Sequence, residues 1–533
     1  MIQVIGVTKA FAGKKLFEDV NTSFPPGRRY GLTGPNGAGK TTFMKILSGE
    51  LDPDAGTVSK PKRLSILKQD QYAFESMRVL DVVMMGNKPL WAAMQQKEKL
   101  LAKPELSDED GARLGELEGV IGEEDGYSAE SEAASMLEGL SVYAQDHEKP
   151  MREITGGDKV RVLLAQAIFG KPTALLLDEP TNSLDLDSIH WLEDYLEKFQ
   201  GTLVVISHDR HFLNAICTHI ADIDYETIIT YNGSYVDMVR AKAQVRSRIE
   251  SENSDKDKRR EQLQDFVARF SAGTRASQVQ SRIKQLEKLS LTDVKKSNIA
   301  RPFIKFEQKR PSGKQTLTLD NVTKSFDGKK PLFKKFSALV TKGEKVAIVG
   351  RNGVGKTTLL RTLLGELKPD SGAVIWGHEA QIGYMPQDVK PTIPTDTTCF
   401  DYLHDIDAAA GNEQLRGLLG RMLFRGEEGM KPTKALSGGE AVRLLFCKLM
   451  LTQPNILVLD EPNNHLDLES ISALAEGLQN YPGTVVMVAH DRDLIASTAT
   501  RIFAFHDDGV EDFTGDYEAF LQQHGGFIES HTA

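Results

Sequence analysis

Short runs of consecutive apolar residues, separated by longer and more polar stretches, recur along this chain of 533 residues. The runs at 174–177, 203–206 and 456–459 have the length and composition of strands that are buried on both faces of a parallel sheet. All are far shorter than the ~18 apolar residues that a membrane-spanning helix needs. Such strands, alternating with helical stretches, predict an α/β fold.

Two halves of the chain carry the same short motifs in the same order. The loop at 34–41 recurs 316 residues later at 350–357, and the acidic pair at 178–179 recurs 282 residues later at 460–461. This repetition indicates duplication of a whole domain, with about 36 additional residues in the first copy. The helix-forming composition of 91–126 predicts a helical arm there, and a plain surface decoration is the alternative interpretation.

The segment that joins the two copies differs from both of them. Residues 240–300 include 15 Lys/Arg and 8 Asp/Glu, so this segment carries a formal charge of +7 while the rest of the chain carries −17. Apolar residues follow helical spacing on both sides of a turn-like stretch at 271–274, which predicts a basic helical hairpin. A charged, partly flexible linker is the alternative. The predicted boundaries are domain one at 1–238, the linker at 239–300 and domain two at 301–533.

Composition and charge limit the class of protein. The net charge of −10 argues against general coating of nucleic acid, although the basic linker leaves a local contact open. The three cysteines (Cys217, Cys399 and Cys447) are scattered, which excludes a disulfide framework and a zinc-ligand cluster. The N-terminal residues lack the features of a secretion signal, so we expect a cytoplasmic protein with no membrane partner.

Two loops have the pattern GxxxxGK[ST], which is typical of phosphate-binding loops. Its glycines let successive backbone N–H groups surround phosphate oxygens, and the following helix adds its positive N-terminal dipole. Lys40 and Lys356 are predicted to reach the β- and γ-phosphates of ATP, and the hydroxyls of Thr41 and Thr357 to bind Mg²⁺. The predicted ATP-binding residues are Gly34, Pro35, Asn36, Gly37, Ala38, Gly39, Lys40, Thr41 and Thr42 in the first copy, and Gly350, Arg351, Asn352, Gly353, Val354, Gly355, Lys356, Thr357 and Thr358 in the second.

Each copy also contains a buried strand that ends in two acids and a proline. Acids in this position lie at the carboxyl edge of a parallel sheet, beside the phosphate-binding loop. Asp178 and Asp460 are predicted to hold the Mg²⁺ shell, and Glu179 and Glu461 to polarise the water that attacks the γ-phosphate. The two motifs together predict an ATPase with ATP and Mg²⁺ at two sites.

The glycine motifs further along resemble those of the ABC ATPases. The stretch LSGGE at 436–440 resembles the signature loop of that family, and ITGGD at 154–158 is its counterpart; 183–185 and 465–467 resemble the D-loops. The resemblance implies that each signature loop caps the γ-phosphate of the ATP held by the other copy, within one monomer that closes head to tail. The implied roles fall on Thr155, Gly156, Gly157, Ser437, Gly438 and Gly439 (signature), Gln69 and Gln387 (catalysis and Mg²⁺), His208 and His490 (γ-phosphate), and Phe11 and Phe326 (adenine).

Two such domains, a basic linker and no membrane span are together similar to the ABC-F family of ribosome-associated translation factors. The stretches at 122–130, 207–213 and 302–307 resemble the YbiT-like branch of that family. The resemblance implies binding at the ribosomal E site, with the linker and arm contacting rRNA and P-site tRNA. The RNA contacts predicted at or near the tip of the linker are Arg269, Arg275, Arg282 and Lys284.

Three residues depart from the family pattern, and other functions remain open. Thr155 replaces the signature serine, Asn463 stands where the family has threonine, and Ala489 where it has serine. These departures predict unequal hydrolysis, with the site of Lys356 and Thr155 the slower one. The alternative functions are the ATPase subunit of a transporter with separate membrane subunits, which needs no cationic linker, and a DNA-repair ATPase, in which a long coiled coil interrupts one domain.

Overall fold

Two similar α/β domains follow one another in the computed structural model. It describes residues 1–245 and 301–524, except positions 12, 13, 36, 69, 71, 105, 106, 183, 225, 327–330, 507 and 508. Within these residues no helix combines the length and the apolar character needed to cross a bilayer. The predicted fold class, tandem α/β domains with phosphate-binding loops, is confirmed.

Each domain contains one three-stranded antiparallel sheet and one six-stranded sheet. The strands of domain one are β1 (Ile2–Phe11), β2 (Lys14–Phe24), β3 (Arg29–Thr33), β4 (Ala55–Ser59), β5 (Leu64–Ile66), β6 (Ala174–Asp178), β7 (Thr202–Ile206), β8 (His219–Asp224) and β9 (Thr227–Asn232). The small sheet has the order β2-β1-β4 and the large sheet the order β5-β6-β7-β3-β8-β9. The first five strands of the large sheet are parallel, and β9 pairs with β8 in the antiparallel direction.

Domain two repeats this topology strand for strand. Its strands are β10 (Gln315–Ser325), β11 (Pro331–Thr341), β12 (Lys345–Val349), β13 (Ser371–Trp376), β14 (Ile382–Met385), β15 (Ile456–Asp460), β16 (Thr484–Val488), β17 (Arg501–His506) and β18 (Gly509–Thr514). The small sheet has the order β11-β10-β13 and the large sheet β14-β15-β16-β12-β17-β18. Every residue of β15 and β16 is buried, because helices cover one face of the large sheet, and the small sheet with the helix Lys356–Leu363 covers the other.

Helices connect the strands and cover the sheets. Domain one has α1 (Lys40–Ser48), α2 (Val79–Met84), α3 (Lys88–Leu101), α4 (Asp108–Glu123), α5 (Ala129–Gly139), α6 (Ala144–His147), α7 (Gly156–Ile168), α8 (Leu186–Glu197) and α9 (Arg210–Ile216). Domain two has α10 (Lys356–Leu363), α11 (Cys399–Ile406), α12 (Asn412–Arg421), α13 (Gly438–Thr452), α14 (Leu468–Gln479), α15 (Arg492–Thr498) and α16 (Tyr517–Gln523). Short 3₁₀ turns lie at Met151–Glu153, Lys390–Thr392, Gly426–Met430 and Thr433–Ala435.

The insertion predicted at 91–126 contains most of α3 and the whole of α4. Arg113 of α4 donates a 3.0 Å hydrogen bond to Gln96 of α3, and Lys97 forms an ion pair with Glu118, so the two helices lie side by side. Ser107 starts α4 with a reciprocal capping box, which satisfies the free N–H groups of the first turn.

A helix over 235–245, which we call the exit helix, leads out of domain one. It crosses the boundary predicted between 238 and 239. The rest of the predicted linker, including Arg269, Arg275, Arg282 and Lys284, lies outside the described residues.

Candidate functional site

Both phosphate-binding loops connect a buried strand to the first turn of a helix. Gly34 and Gly350 adopt φ of 143°, and a Cβ at either position would lie 2.8 Å from an atom of the neighbouring strand. Only glycine fits such a site, because the backbone passes close to β8 or β17 in a conformation that other residues rarely adopt. These glycines therefore determine the conformation of the two loops. Each loop leads into the N-terminal end of a helix, α1 or α10, where the free backbone N–H groups are available to a phosphate.

The lysine that ends each loop folds back over the loop's own carbonyl oxygens. Lys40 Nζ donates to Gly34 O at 2.7 Å, and Lys356 Nζ donates to Gly350 O at the same distance. Burial lowers the pKa of Lys40 and lowers that of Lys356 to about 8. Desolvation of a cation is offset when a phosphate binds beside it, so both ammonium groups are suited to an anionic ligand.

The predicted Mg²⁺ residues lie next to each other in both domains. Asp178 and Asp460 end β6 and β15, beside the hydroxyls of Thr41 and Thr357 respectively. Burial raises the pKa of Asp178, and it raises that of Asp460 to about 6. Both carboxylate oxygens of Asp460 are buried, and neither has a hydrogen-bond partner at ordinary distance among the described residues. Oxygen donors of this kind fit Mg²⁺, which prefers one or two carboxylates together with phosphate oxygens.

Glu179 and Glu461 follow directly, and each adopts a left-handed backbone with φ of 53° and 50°. A non-glycine residue in this region costs roughly 1–3 kcal/mol, and such strain is common where a side chain is aimed at a reaction centre. The amide N–H of each glutamate is held by the adjacent strand, at 2.9 Å from Ile206 O and from Val488 O. The carboxyl groups are thus positioned by the sheet.

Each glutamate lies next to the histidine of its own domain that is predicted to contact the γ-phosphate, which we call the switch histidine. His208 Nε2 lies 3.2 Å from Glu179 Oε1, and His490 Nε2 lies 3.3 Å from Glu461 Oε1. Burial raises the pKa of both carboxyls to about 8 and lowers the pKa of both histidines to about 3. The imidazoles are therefore neutral near pH 7, whereas the carboxyls titrate close to it, which suits a general base.

The two domains contribute together to one cavity of about 1320 Å³. Lys40 and Thr41 line it together with Ser437 and Gly438 of domain two. In the same cavity Asn352 of the second phosphate-binding loop shares the lining with Thr155 of domain one. The structure therefore places residues of both phosphate-binding loops and of both signature loops around one cavity.

We call the ATP site of Lys40 site one and that of Lys356 site two. Contacts between the domains surround site two. Arg351 Nε donates to Asp187 Oδ2 at 2.7 Å, and the Asn352 N–H donates to Asp185 Oδ2 at 3.2 Å. Arg161, buried on the signature helix α7, lies 3.9 Å from the same Asp185 oxygen. The D-loop of domain one thus connects its own signature helix to the phosphate-binding loop of domain two. The sequence did not predict these partners, although Asp185 belongs to a motif that it identified.

The remaining predicted residues fall into three groups. Gln387 and Phe11 line the cavity, and the Lys9 ammonium lies 5.5 Å from the Phe11 ring centroid. Phe326 has an equivalent setting, about half exposed with Lys324 over its ring at 5.8 Å. Asn36, Gln69 and Ser183 lie outside the described residues.

Two of the departures from the family pattern, Asn463 and Ala489, occupy positions whose counterparts meet in domain one. In domain one the hydroxyls of Thr181 and Ser207 are 3.1 Å apart, a hydrogen bond between the loop after Glu179 and the loop before His208. Domain two has Asn463 and Ala489 at the equivalent positions, where no hydroxyl pair can form. The amide oxygen of Asn463 is buried and lacks a partner among the described residues. The ATP site of Lys356 therefore lacks the hydroxyl pair that joins these two loops at the ATP site of Lys40.

We expect site two to hydrolyse ATP roughly fivefold more slowly than site one, because a lost hydrogen bond of about 1 kcal/mol corresponds to about a factor of five in rate. The measurement compares single-turnover rates of Glu179→Gln, which leaves site two active, with those of Glu461→Gln, which leaves site one active. As a matched control, Asn463→Thr with Ala489→Ser in the Glu179→Gln background should accelerate site two. Equal rates in the two single variants, or a faster site two, would refute the prediction.

The paired domains, each with a phosphate-binding loop, an acidic strand end and a signature loop facing its partner, define a tandem ATP-binding cassette protein. The sequence matches the family model described as "ABC transporter" at 17–182 and 333–464, and a second model of the same description at 221–306. It is 47% identical to the probable ATP-binding protein YbiT of Escherichia coli O157:H7, over 98% of this chain and the whole of that protein.

Other relatives extend the comparison. The chain is 46% identical to the ABC transporter ATP-binding protein YkpA of Bacillus subtilis (98% of this chain, 97% of that protein). It is 34% identical to ABC transporter F family member 5 of Arabidopsis thaliana (98% and 77%). The fold is similar, at a TM-score of 0.63 and 18% identity, to a structure of archaeal ribosomal stalk protein aP1 with archaeal ribosome recycling factor aABCE1, over 98% of this chain and 92% of that one. This chain belongs to the ABC-F family of ABC ATPases, in its YbiT-like branch; ABC domains bind ATP and in general hydrolyse it.

Proposed function

We propose that this chain is an ATP-gated translation factor that binds the ribosome at the E site and directs its linker toward P-site tRNA. The observation that carries the proposal is the single cavity shared by two head-to-tail ATP sites, with a segment of charge +7 joining the domains. Closure on ATP and opening after hydrolysis change the relative position of the domains, and with it the position of whatever the linker contacts.

Four sets of residues have separate roles in ATP hydrolysis at each ATP site. The glycine-rich loop and Lys40 or Lys356 bind the phosphates, and the signature loop of the other domain, with Ser437 or Thr155, caps them. The Thr41–Asp178 or Thr357–Asp460 pair would hold Mg²⁺, which when bound would neutralise negative charge on the phosphates. Glu179 or Glu461 orients the attacking water and accepts its proton, while a neutral histidine holds the carboxyl.

The relatives support a ribosomal partner. Two fold neighbours at 18–19% identity are an archaeal ribosome recycling factor in complex with a ribosomal stalk protein and a ribosome-bound complex of archaeal Pelota and ABCE1. These associations concern those proteins and motivate the proposal for this one. The basic linker is the part of the chain suited to RNA, because contacts between Lys/Arg and phosphate dominate binding to A-form RNA.

The proposal predicts ATP-dependent sedimentation with ribosomes. Protein trapped by Glu179→Gln and Glu461→Gln should pellet with ribosomes through a sucrose cushion when ATP is present and stay in the supernatant with ADP. A variant with Lys40→Ala and Lys356→Ala, which loses the ATP-binding ammonium groups, is the control and should not pellet in either case. Failure of the ATP-trapped protein to pellet would reject the translation-factor proposal and favour the ATPase subunit of a transporter.

A further inference from the structure

The exit helix determines where the linker begins, and it is attached to domain one at both ends. Ser234 accepts a 3.4 Å hydrogen bond from the Asp237 N–H at the first turn. Tyr235 and Met238 are buried in the core of domain one. After residue 245 the chain continues into the part of the linker that lies outside the described residues.

Further along the exit helix, Lys242 forms a buried ion pair with two carboxylates of β8. Its ammonium contacts Asp222 and lies 3.1 Å from Asp224 Oδ2, and the two acidic side chains are only 3% and 1% exposed. The second oxygen of Asp222, Oδ1, accepts a 3.1 Å hydrogen bond from the Thr33 hydroxyl. Thr33 is the last residue of β3 and precedes Gly34. A single carboxylate therefore connects the exit helix to the phosphate-binding loop of site one.

The charges of this cluster also reach the ATP-binding lysine. Burial opposes ionisation of Lys242, yet the two carboxylates raise its pKa above the usual value. Burial dominates at Lys40 and lowers its pKa, and the Asp222 carboxylate is one of the acids that oppose this shift. A buried ion pair is weak evidence for stability, because desolvation offsets its attraction, and its best-attested use is to fix register or a switch.

Domain two lacks this connection at the equivalent positions. Val349 occupies the place of Thr33, Ala504 that of Asp222 and His506 that of Asp224. Val349 and Ala504 belong to the buried, apolar interior of the large sheet. The two domains share one topology, and the polar connection is found in domain one, whose last helix leads into the linker.

A second contact ties the first turn of the exit helix to the interface between the domains. Arg210, two residues after the switch histidine His208, donates from Nη2 to Leu468 O of domain two at 3.2 Å and to the Ser472 hydroxyl. Its guanidinium lies over the Tyr235 ring, 5.5 Å from the centroid. The residue that bridges the domains next to α14 therefore also contacts the exit helix.

We propose that Lys242 and Arg210 are positioning residues that couple the exit helix to ATP site one, Lys242 through Asp222 and Thr33 to the phosphate-binding loop and Arg210 through Tyr235 to the domain interface. ATP at site one and the orientation of the exit helix then report on each other, because coupling between two sites is reciprocal. The inference rests on the proposed function for its consequence, since the exit helix would carry the state of the ATP site into the RNA-contacting linker.

Hydrogen exchange on the full chain tests the coupling without a ribosome. In the Glu179→Gln, Glu461→Gln protein, we expect the amides of 235–245 to exchange roughly 5- to 20-fold more slowly with ATP than with ADP, a typical size for coupling between sites. Lys242→Arg should keep this response. Lys242→Met should lose it while the amides of α1 stay protected by ATP. Helix α16, the counterpart of the exit helix in domain two, is the internal reference and should respond alike in all variants.

A second variant covers the case in which Lys242→Met alone does not fold because it removes the ammonium group from beside two buried carboxylates. Thr33→Val, Asp222→Ala, Asp224→Ala and Lys242→Met together replace the cluster by uncharged side chains, the first two as in domain two. Loss of the ATP response at 235–245 in this variant supports the coupling. An unchanged response, or no response in the parent protein, overturns it. Sedimentation with ribosomes tests the translation-factor proposal, and hydrogen exchange without ribosomes tests the coupling. Failure of one proposal can therefore be distinguished from failure of the other.

Discussion

Glutamine at both Glu179 and Glu461 should lower ATP turnover by about 10²- to 10⁴-fold while ATP binding is retained, since a positioned general base contributes about that much to a rate. Glutamine has the same size as glutamate. At position 179 it can accept the 3.2 Å hydrogen bond that the backbone N–H of His208 donates to Glu179 Oε2, so the local geometry should persist. It cannot take a proton from water. Steady-state phosphate release and equilibrium binding of a labelled ATP measure the two quantities.

The histidines do not offer an alternative base in this arrangement. Burial lowers the pKa of His208 and of His490 to about 3, so each imidazole is neutral near pH 7 and too weak a base to take a proton from water, and its Nε2 faces the glutamate carboxyl. A neutral imidazole in that position is suited to hold the carboxyl and contact the γ-phosphate. The carboxyl is the group whose pKa, about 8, lies near the working pH.

Two exposed glutamates provide the matched control. Glu116→Gln on α4 and Glu413→Gln on α12 change the same number of carboxyls without touching either site, and turnover should stay at the wild-type level. Turnover near wild type in the Glu179→Gln, Glu461→Gln protein would show that the assignment of these two acids is incorrect.

Alanine at Arg269, Arg275, Arg282 and Lys284 should weaken ribosome association about 10²-fold at moderate salt and lower the salt slope of binding by roughly one unit per lost phosphate contact. All four lie in the part of the chain outside the described residues, so the expectation rests on the sequence. They flank the turn-like stretch at 271–274, and the substitutions leave the apolar residues of the predicted helical faces unchanged. ATP binding by the isolated protein should survive. A salt titration of ribosome binding is the measurement.

The control must match the change in charge. Lys334, Lys342, Lys368 and Lys390 are exposed lysines of domain two, and their replacement by alanine also removes four positive charges. We expect only a small effect from this variant, because long-range attraction is largely screened at moderate salt. Equal effects of the two variants would indicate a general charge effect. Unaltered binding by the linker variant would count against the RNA contact and favour the transporter ATPase.

Much of the fold and of the two sites could be predicted from local sequence. The loop that ends in Lys40, the acids at Asp178 and Glu179 and the following helix starts are short segments whose chemistry depends on a few neighbouring residues. Repetition of each motif in the second half strengthened the inference, because a duplicated domain must reproduce the same strand ends and helix starts.

The contacts that join the parts were decided only by the tertiary structure. Arg351 meets Asp187 across 164 residues of chain and Arg210 meets Ser472 across 262, and neither pairing leaves a periodic or local signal in the sequence. The same holds for Thr181 with Ser207 and for Lys242 with Asp222, where side chains from separate strands and helices meet because the sheet and the domain interface place them together. Motifs are local and can be recognised from residue type and spacing, whereas ion pairs between domains depend on how two complete cores pack.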